Sequence, residues 1–200
     1  WGLITGTCEE LDEDLDDSGP SFRVNEYAFA DGESFDPELL SEGAKKRFDE
    51  PNAGGSSKCS EVMSLQLLHE CEGAVLYKSE MEVTYVEEGK ITDFVVLVDG
   101  EKVGVSVTRA YLGPTVTDYT VEDATALLEK KLAGINESTG NVSAEDKWVK
   151  QVLHIWTLQP TWVSPLEEAY DGLDVELKAD TVVLVTVESN SNVVVENACE

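Results

Sequence analysis

An aspartate and two hydroxyl side chains lie at spacings that can bring them together on one β-hairpin. Asp93 stands near the start of one apolar, β-branched run, and Ser106 and Thr108 lie in the next run, beyond the dipeptide Asp99-Gly100. Asp-Gly between two such runs is among the strongest short signals for a two-residue hairpin turn. Because strand side chains alternate, Ser106 and Thr108 share one face, and Arg109 points to the other. A carboxylate in this position is suited to holding a hard cation, with the hydroxyls as weak neutral oxygens.

The hairpin over residues 89–110 resembles the PD-(D/E)xK nuclease superfamily, and most of all its Holliday-junction-resolvase-like branch. In that branch a catalytic Asp is followed, across an Asp-Gly turn, by Glu-Val-Lys. Asp93 takes the Asp position, and Ser106, Val107 and Thr108 take the Glu, Val and Lys positions. The resemblance implies phosphodiester hydrolysis, but two of the three chemical groups are replaced by alcohols.

The resemblance also implies a metal site. A Glu at the start of the first core helix often reaches the metal in this superfamily, and Glu61 has that position, so Asp93 and Glu61 are the predicted ligands of Mg²⁺ or Mn²⁺. Glu61 has a simpler interpretation as an acid favoured near a helix N-terminus. Asp93 has one as a solvated acid at a strand end. Thr108 has no basic nitrogen, and loss of a positioned base typically removes about 10²- to 10⁴-fold of rate.

Replacement groups are available in the sequence. Glu80 and Glu82 on the preceding predicted strand are alternative acids, and Arg109 or Lys102 is an alternative cation if the strand is bulged. Arg stays protonated, so it can stabilise charge but cannot take a proton.

The elements that would position these residues follow from hydrophobic periodicity and turn signals. The predicted order is a helix over 58–72, a strand over 74–86, the hairpin, a helix over 120–136, a strand over 148–158, a helix over 165–177 and a strand over 181–187. This order is that of an α/β, restriction-endonuclease-like αβββαβ core with an added C-terminal helix and strand, in which helices flank a mixed sheet.

Three segments are predicted along the chain. Residues 1–55 are an acidic, partly irregular N-terminal segment, in which residues 1–18 form a mobile tail or a segment that orders only against something else, and a helix runs from about 36 to 48. Residues 56–190 form the α/β domain and 191–200 a C-terminal tail. The acidic run over residues 9–17 self-repels and has few apolar groups to offset the entropy of ordering.

The formal net charge of −27 argues against general nucleic-acid binding. A negative field repels phosphate backbones, and only Lys78, Lys90, Lys102 and Arg109 lie near the proposed site. A bound metal can reverse the sign locally, so the charge does not exclude a nuclease. No apolar run has the length needed to cross a bilayer. A protein partner is expected, and the oligomeric state is left open.

Four cysteines show no CxxC spacing, which argues against a structural zinc site. Cys59 and Cys71 lie roughly 18 Å apart on one predicted helix, at 1.5 Å per residue, too far to bond to each other. A bond between Cys8 and Cys199 is left open, but free buried thiols in a reducing compartment are expected. This slightly favours an intracellular over a secreted location.

Two functions follow from these patterns. The first is a catalytically degenerate nuclease-like domain that needs no cofactor and serves as a binding or assembly module. The alternative is an active metal-dependent nuclease with a rearranged site around Asp93 and Glu61.

Overall fold

The strands of the protein form one mixed β-sheet. The computed structural model describes residues 2–51 and 57–199, without the side chain of Asp12, and within these residues the sheet has seven strands. They are β1 (Gly2–Gly6), β2 (Ser21–Phe29), β3 (Val75–Ser79), β4 (Phe94–Val98), β5 (Glu101–Arg109), β6 (Lys150–Thr157) and β7 (Thr181–Glu188). Their spatial order is β1-β2-β7-β6-β5-β4-β3. Strands β3, β4 and β5 form an antiparallel meander, β5, β6, β7 and β2 run parallel, and β1 returns antiparallel at the edge.

Helices cover both faces of the sheet, which confirms the predicted α/β class. The α-helices are α1 (Leu11–Asp16), α2 (Glu42–Asp49), α3 (Lys58–Glu72), α4 (Val121–Asn141), α5 (Val163–Gly172) and α6 (Val175–Lys178). One core joins α3 to one face, for example Leu65 to Val96 and Trp156. A second core joins α4 and α5 to the other face, for example Leu128 and Leu166 to Ile155.

Local sequence signals place the hairpin and the two long helices. Asp99 and Gly100 both have positive φ, 50° and 86°, as a type I′ turn requires. Helix α3 has the predicted bounds. Helix α4 begins with a capping box in which Thr120 and Asp123 satisfy each other's backbone N–H groups, and it continues five residues beyond the predicted end.

Two predicted elements are shorter than expected. Strand β3 ends at Ser79, where a 3₁₀ turn over Glu80–Glu82 begins, so the predicted strand over 74–86 is wrong in its second half. The Glu82 carboxylate accepts a hydrogen bond from the Ser79 backbone N–H at 2.9 Å, which stabilises that turn in place of the sheet ladder. The helix predicted over 165–177 is two helices, because α5 ends at Gly172 and α6 begins at Val175.

Residues 2–18 do not form a mobile tail but are ordered against the rest of the fold, the second of the two predicted alternatives. Strand β1 and helix α1 lie within these residues, and β2 pairs in parallel with β7, so the sheet extends beyond the predicted 56–190 range. Arg23 on β2 contacts Glu10 at 2.6 Å and Asp14 at 3.2 Å, which offsets part of the self-repulsion of the acidic run.

The helix predicted over 36–48 consists of a 3₁₀ turn over Pro37–Leu39, capped by Asp36, followed by α2, capped by Ser41. The Gly- and Ser-rich composition of residues 51–57 predicts a linker, and most of it lies outside the described residues.

The four cysteines form two disulfides, so the prediction of free thiols is wrong. Cys8 bonds to Cys71 and Cys59 to Cys199, with Cα atoms 4.9 and 5.6 Å apart. Cys59 and Cys71 do not bond to each other, as expected, because they lie at opposite ends of α3 and each meets a different terminal segment. Cys8 and Cys199 do not bond to each other, because each is paired with a cysteine of α3.

The segment after β7 is held against the domain. The Glu188 carboxylate accepts hydrogen bonds from the backbone N–H groups of Val194 and Val195, and both valines are fully buried.

The disulfides also bear on location. Disulfides are typical of oxidising compartments, which removes the basis for favouring an intracellular location. In the part of the chain that the structure describes, no helix is both long and apolar enough to cross a membrane.

Candidate functional site

Asp93 and Ser106 are cross-strand neighbours at the end of the β4–β5 ladder. Phe94 pairs with Val105, and the Asp93 backbone N–H donates to the Val105 carbonyl at 3.0 Å, so the ladder continues one residue beyond β4. The Asp93 carboxylate (Oδ2) accepts a hydrogen bond from the Val107 backbone N–H at 2.5 Å. Ser106 is buried, and its hydroxyl lies 3.5 Å from that of Thr92. The structure thus brings together two of the predicted site residues.

A cleft of about 150 Å³ opens beside this pair, between the sheet and α4. Its lining is mostly basic or small: Lys90, Ile91, Asp93, Ser106, Lys130, Lys131, Gly134 and Ile135. The half-buried Lys131 donates from Nζ to the Val107 carbonyl at 3.2 Å, so it approaches the same residue as the Asp93 carboxylate.

Sequence reasoning missed Lys131 as a site residue, because in a helix predicted to end at residue 136 Lys130 and Lys131 lie near the C-terminal end, where positive charge is favoured. Helix α4 continues to Asn141, so both lysines lie in its middle. A signal was present: Lys131 is three residues after Leu128 and four before Ile135, which are both buried, so it flanks the inward stripe of the helix.

Burial raises the pKa of the Asp93 carboxyl to about 7, and the negative charges of Glu61 and Glu80 act in the same direction. The Val107 N–H and the positive charge of Lys131 oppose them by favouring the carboxylate. Burial also lowers the pKa of the Lys131 ammonium, as do its neighbours Lys130 and Lys90. Asp93 is therefore a group that gains and loses its proton near neutral pH.

Glu61 is held in a buried ion pair on the other side of the sheet. Its Oε2 accepts from Arg47 Nε at 2.8 Å and from Arg47 Nη2 at 2.6 Å, and the two residues are only 3% and 4% exposed. Glu61 belongs to α3, whereas the cleft lies against α4, and Glu61 does not line it. The negative charge of Glu61 raises the pKa of Asp93, but the Glu61 carboxylate itself is bound to Arg47.

The remaining candidates point elsewhere. Thr108 shares the face of Ser106 and is half-buried, but it does not line the cleft. Strand β5 stays in register with β6 through Arg109 and Trp156, so there is no bulge to turn Arg109 toward the site. Arg109 instead donates from Nη1 to the Val195 carbonyl at 2.7 Å.

The alternative groups on neighbouring segments are also engaged or distant. Glu82 forms an ion pair with Lys46 at 2.7 Å, and Lys102 donates to the Glu145 carbonyl beyond the hairpin turn. Burial and the charge of Glu61 raise the pKa of Glu80. Within residues 2–51 and 57–199, no group of three or more His, Cys, Asp or Glu side chains is arranged to hold a metal ion.

Fold and site together define an α/β protein with a basic cleft at the end of an antiparallel meander. No protein-family profile matches the chain. The chain is 40% identical over 159 residues to the AAC-rich mRNA clone AAC4 protein of Dictyostelium discoideum, an alignment that covers 76% of this chain. The chain spans only 23% of the length of that relative.

A comparison with solved structures finds a likeness to SfsA of Pyrococcus furiosus, which was solved in complex with Ca²⁺. It covers 66% of this chain and 56% of that chain, at 14% sequence identity and a TM-score of 0.30. A TM-score this low does not define the fold.

Proposed function

We propose that this chain is a nuclease-like α/β domain that binds a partner at the Asp93 cleft and does not cleave phosphodiesters. Three features support the proposal: the order of the elements, the replacement of two catalytic groups by alcohols, and the ion pair that engages Glu61.

The order of the elements is the one that the resemblance implies. Helix α3 is followed by the antiparallel meander β3–β4–β5, then by α4 and by β6, which lies parallel to β5. Asp93 precedes the second strand of the meander, and Ser106 and Thr108 lie on the third, in the places that an acid and a lysine take in PD-(D/E)xK nucleases.

The observation that carries the proposal is the ion pair of Glu61 with Arg47. A magnesium site of this type needs at least two carboxylates. Releasing Glu61 to a metal would leave the buried guanidinium of Arg47 without its partner, which typically costs about 3–5 kcal/mol. Asp93 is then the one predicted metal ligand whose carboxylate faces the cleft, beside the neutral oxygen of Ser106.

The test is a cleavage and metal-binding assay on the intact protein with its disulfides formed. Single- and double-stranded DNA and RNA are incubated with Mg²⁺ or Mn²⁺, and Mn²⁺ binding is followed by calorimetry. We expect no cleavage above that of the Asp93→Asn variant and no Mn²⁺ binding that depends on Asp93. The exposed Asp118→Asn variant is the matched control. Cleavage that Asp93→Asn abolishes and Asp118→Asn leaves intact overturns the proposal.

A metal-dependent phosphodiesterase is the second candidate, and the position of Lys131 favours it. Lys131 enters the cleft from α4 beside Asp93 and supplies a cation that the third strand of the meander lacks. In that case Lys131→Met lowers kcat by about 10²-fold or more. The exposed Lys147→Met leaves kcat unchanged.

A further inference from the structure

Three lysines in the cleft form no ion pair among the described residues, although the chain has 41 acidic and 14 basic residues. Lys90, Lys130 and Lys131 line the cleft, and among the described residues none of their ammonium groups lies within 4.0 Å of a carboxylate. Elsewhere in the chain, Lys46 and Lys78 lie 2.7 and 2.6 Å from their acidic partners. Where acids outnumber bases threefold, a concentration of unpaired cations in one concave place indicates an anion site.

The fixed polar groups of the cleft suit the same ligand. Lys131 is half-buried, and its one described hydrogen bond is to a neutral backbone carbonyl. A bound anion would give its ammonium group a negatively charged hydrogen-bond acceptor. Ser106 is 7% exposed, and within the described part of the chain the one recorded contact of its hydroxyl is a long one, 3.5 Å, with that of Thr92. A hydroxyl and ammonium groups are the donors that phosphate oxygens accept from in proteins.

The size of the cleft limits the ligand to one small group. The cleft volume of about 150 Å³ is below the roughly 300–1,000 Å³ of pockets for drug-sized ligands. The rest of the surface carries the excess acid of a chain with a net charge of −27, which repels an extended polyanion.

We propose that the cleft formed by Lys90, Lys130, Lys131 and Ser106 binds a terminal phosphate monoester, carried by a small molecule or by a phosphorylated side chain. This inference rests on the proposal that the site binds without cleaving. It goes beyond that proposal by naming the chemistry of the ligand.

The Asp93 carboxyl lies in the same cleft, so an anion bound there lies close to one acid as well as to the three lysines. Glu137 of α4 is also nearby, since it accepts a hydrogen bond from the Lys90 backbone N–H at 2.9 Å.

The main test is calorimetry at low ionic strength with three probes: inorganic phosphate, free phosphoserine and a phosphoserine peptide. We expect saturable binding of all three. Lys130→Gln and Lys131→Met should each weaken it about tenfold or more, as loss of a charge-assisted hydrogen bond does. The exposed Lys147→Gln is the matched control and should change it less than about twofold. A peptide that binds over tenfold more tightly than phosphoserine identifies a protein source, and equal affinities identify a small molecule.

Three results overturn the inference: no saturable binding of phosphate or its monoesters, an equal loss in Lys147→Gln, or binding that only an oligonucleotide shows. Lys130 is exposed, so its variant keeps the test valid if Lys131→Met does not fold. These failures are distinct from failure of the proposed function, which metal-dependent cleavage would reveal.

Discussion

Replacing Asp93 by Asn should stabilise the protein at pH 8 and leave its stability almost unchanged at pH 4. Burial and the charges of Glu61 and Glu80 raise the pKa of Asp93 from 3.8 to about 7 in the folded protein. In the unfolded chain the carboxyl returns to its ordinary value. Between about pH 4 and 7 the folded protein therefore holds a proton that the unfolded chain has lost.

The sign of the effect follows from proton linkage. Stability falls with pH wherever the folded state binds more protons than the unfolded state. The difference of about three pKa units, at about 1.36 kcal/mol per unit, sets an upper limit of about 4 kcal/mol on the destabilisation by Asp93 above pH 7. Asn is neutral at every pH and keeps an oxygen that can accept from the Val107 N–H, so it removes this penalty.

The assay is urea unfolding followed by tryptophan fluorescence, with the disulfides intact and EDTA present, at intervals from pH 4 to 8.5. The quantity of interest is the difference in free energy of unfolding between Asp93→Asn and wild type, since the other acids contribute equally to both. We expect it to grow from near zero at pH 4 to between about 2 and 4 kcal/mol at pH 8. The exposed Asp118→Asn should give a small difference that does not vary with pH. A difference for Asp93→Asn that is likewise flat would refute the argument that Asp93 is held in an environment that disfavours its charge.

Three further predictions concern interactions that hold the domain together. Glu61→Gln and Arg47→Met should each lower the free energy of unfolding by about 3–5 kcal/mol, because each leaves a buried charge without its partner. The double variant should cost less than the sum of the two single variants. A double-mutant cycle in urea measures this difference, and additive costs would contradict it. Cys8→Ser and Cys59→Ser should each lower the free energy of unfolding by about 4 kcal/mol, since the two disulfides join residues 63 and 140 positions apart. Alkylation followed by mass spectrometry should find no free thiol in the wild type. Lys150→Met should lower the free energy of unfolding by about 2–4 kcal/mol, because the buried ammonium donates to two backbone carbonyls at 2.6 and 2.8 Å. Thermal unfolding measures the loss of stability, and an unchanged Tm would contradict the prediction.

The sequence could predict the parts of the fold that depend on local signals. The hairpin around Asp99-Gly100 needs only positive φ at two adjacent residues and apolar runs on either side. The capping box at Thr120 and the continuous β-branched run of β7 are similarly local. Each of these elements is therefore found near its predicted position.

The parts that the sequence could not predict depend on contacts between distant residues. The order of the N-terminal segment rests on the bond of Cys8 to Cys71 and on the ion pairs of Arg23, and neither is visible as a local pattern. The pairing of Glu61 with Arg47 joins α3 to α2 across the residues between them. Lys131 reaches the cleft only because α4 packs across the end of β5, where its ammonium meets the Val107 carbonyl.

The charged groups near Asp93, at the start of β4, differ between the two faces of the sheet. On the α3 side, Glu61 already has its counter-charge in Arg47, so it has little capacity for a second cation. On the α4 side, Lys90, Lys130 and Lys131 form no ion pair within 4.0 Å among the described residues, and Asp93 is the one acid that lines the cleft with them, so they have capacity for an anion. Asp93 lies between these groups with a pKa near 7, and its proton decides whether the cleft carries one more negative charge. Under the proposed function, these charges therefore favour an anionic ligand over a metal ion in the cleft.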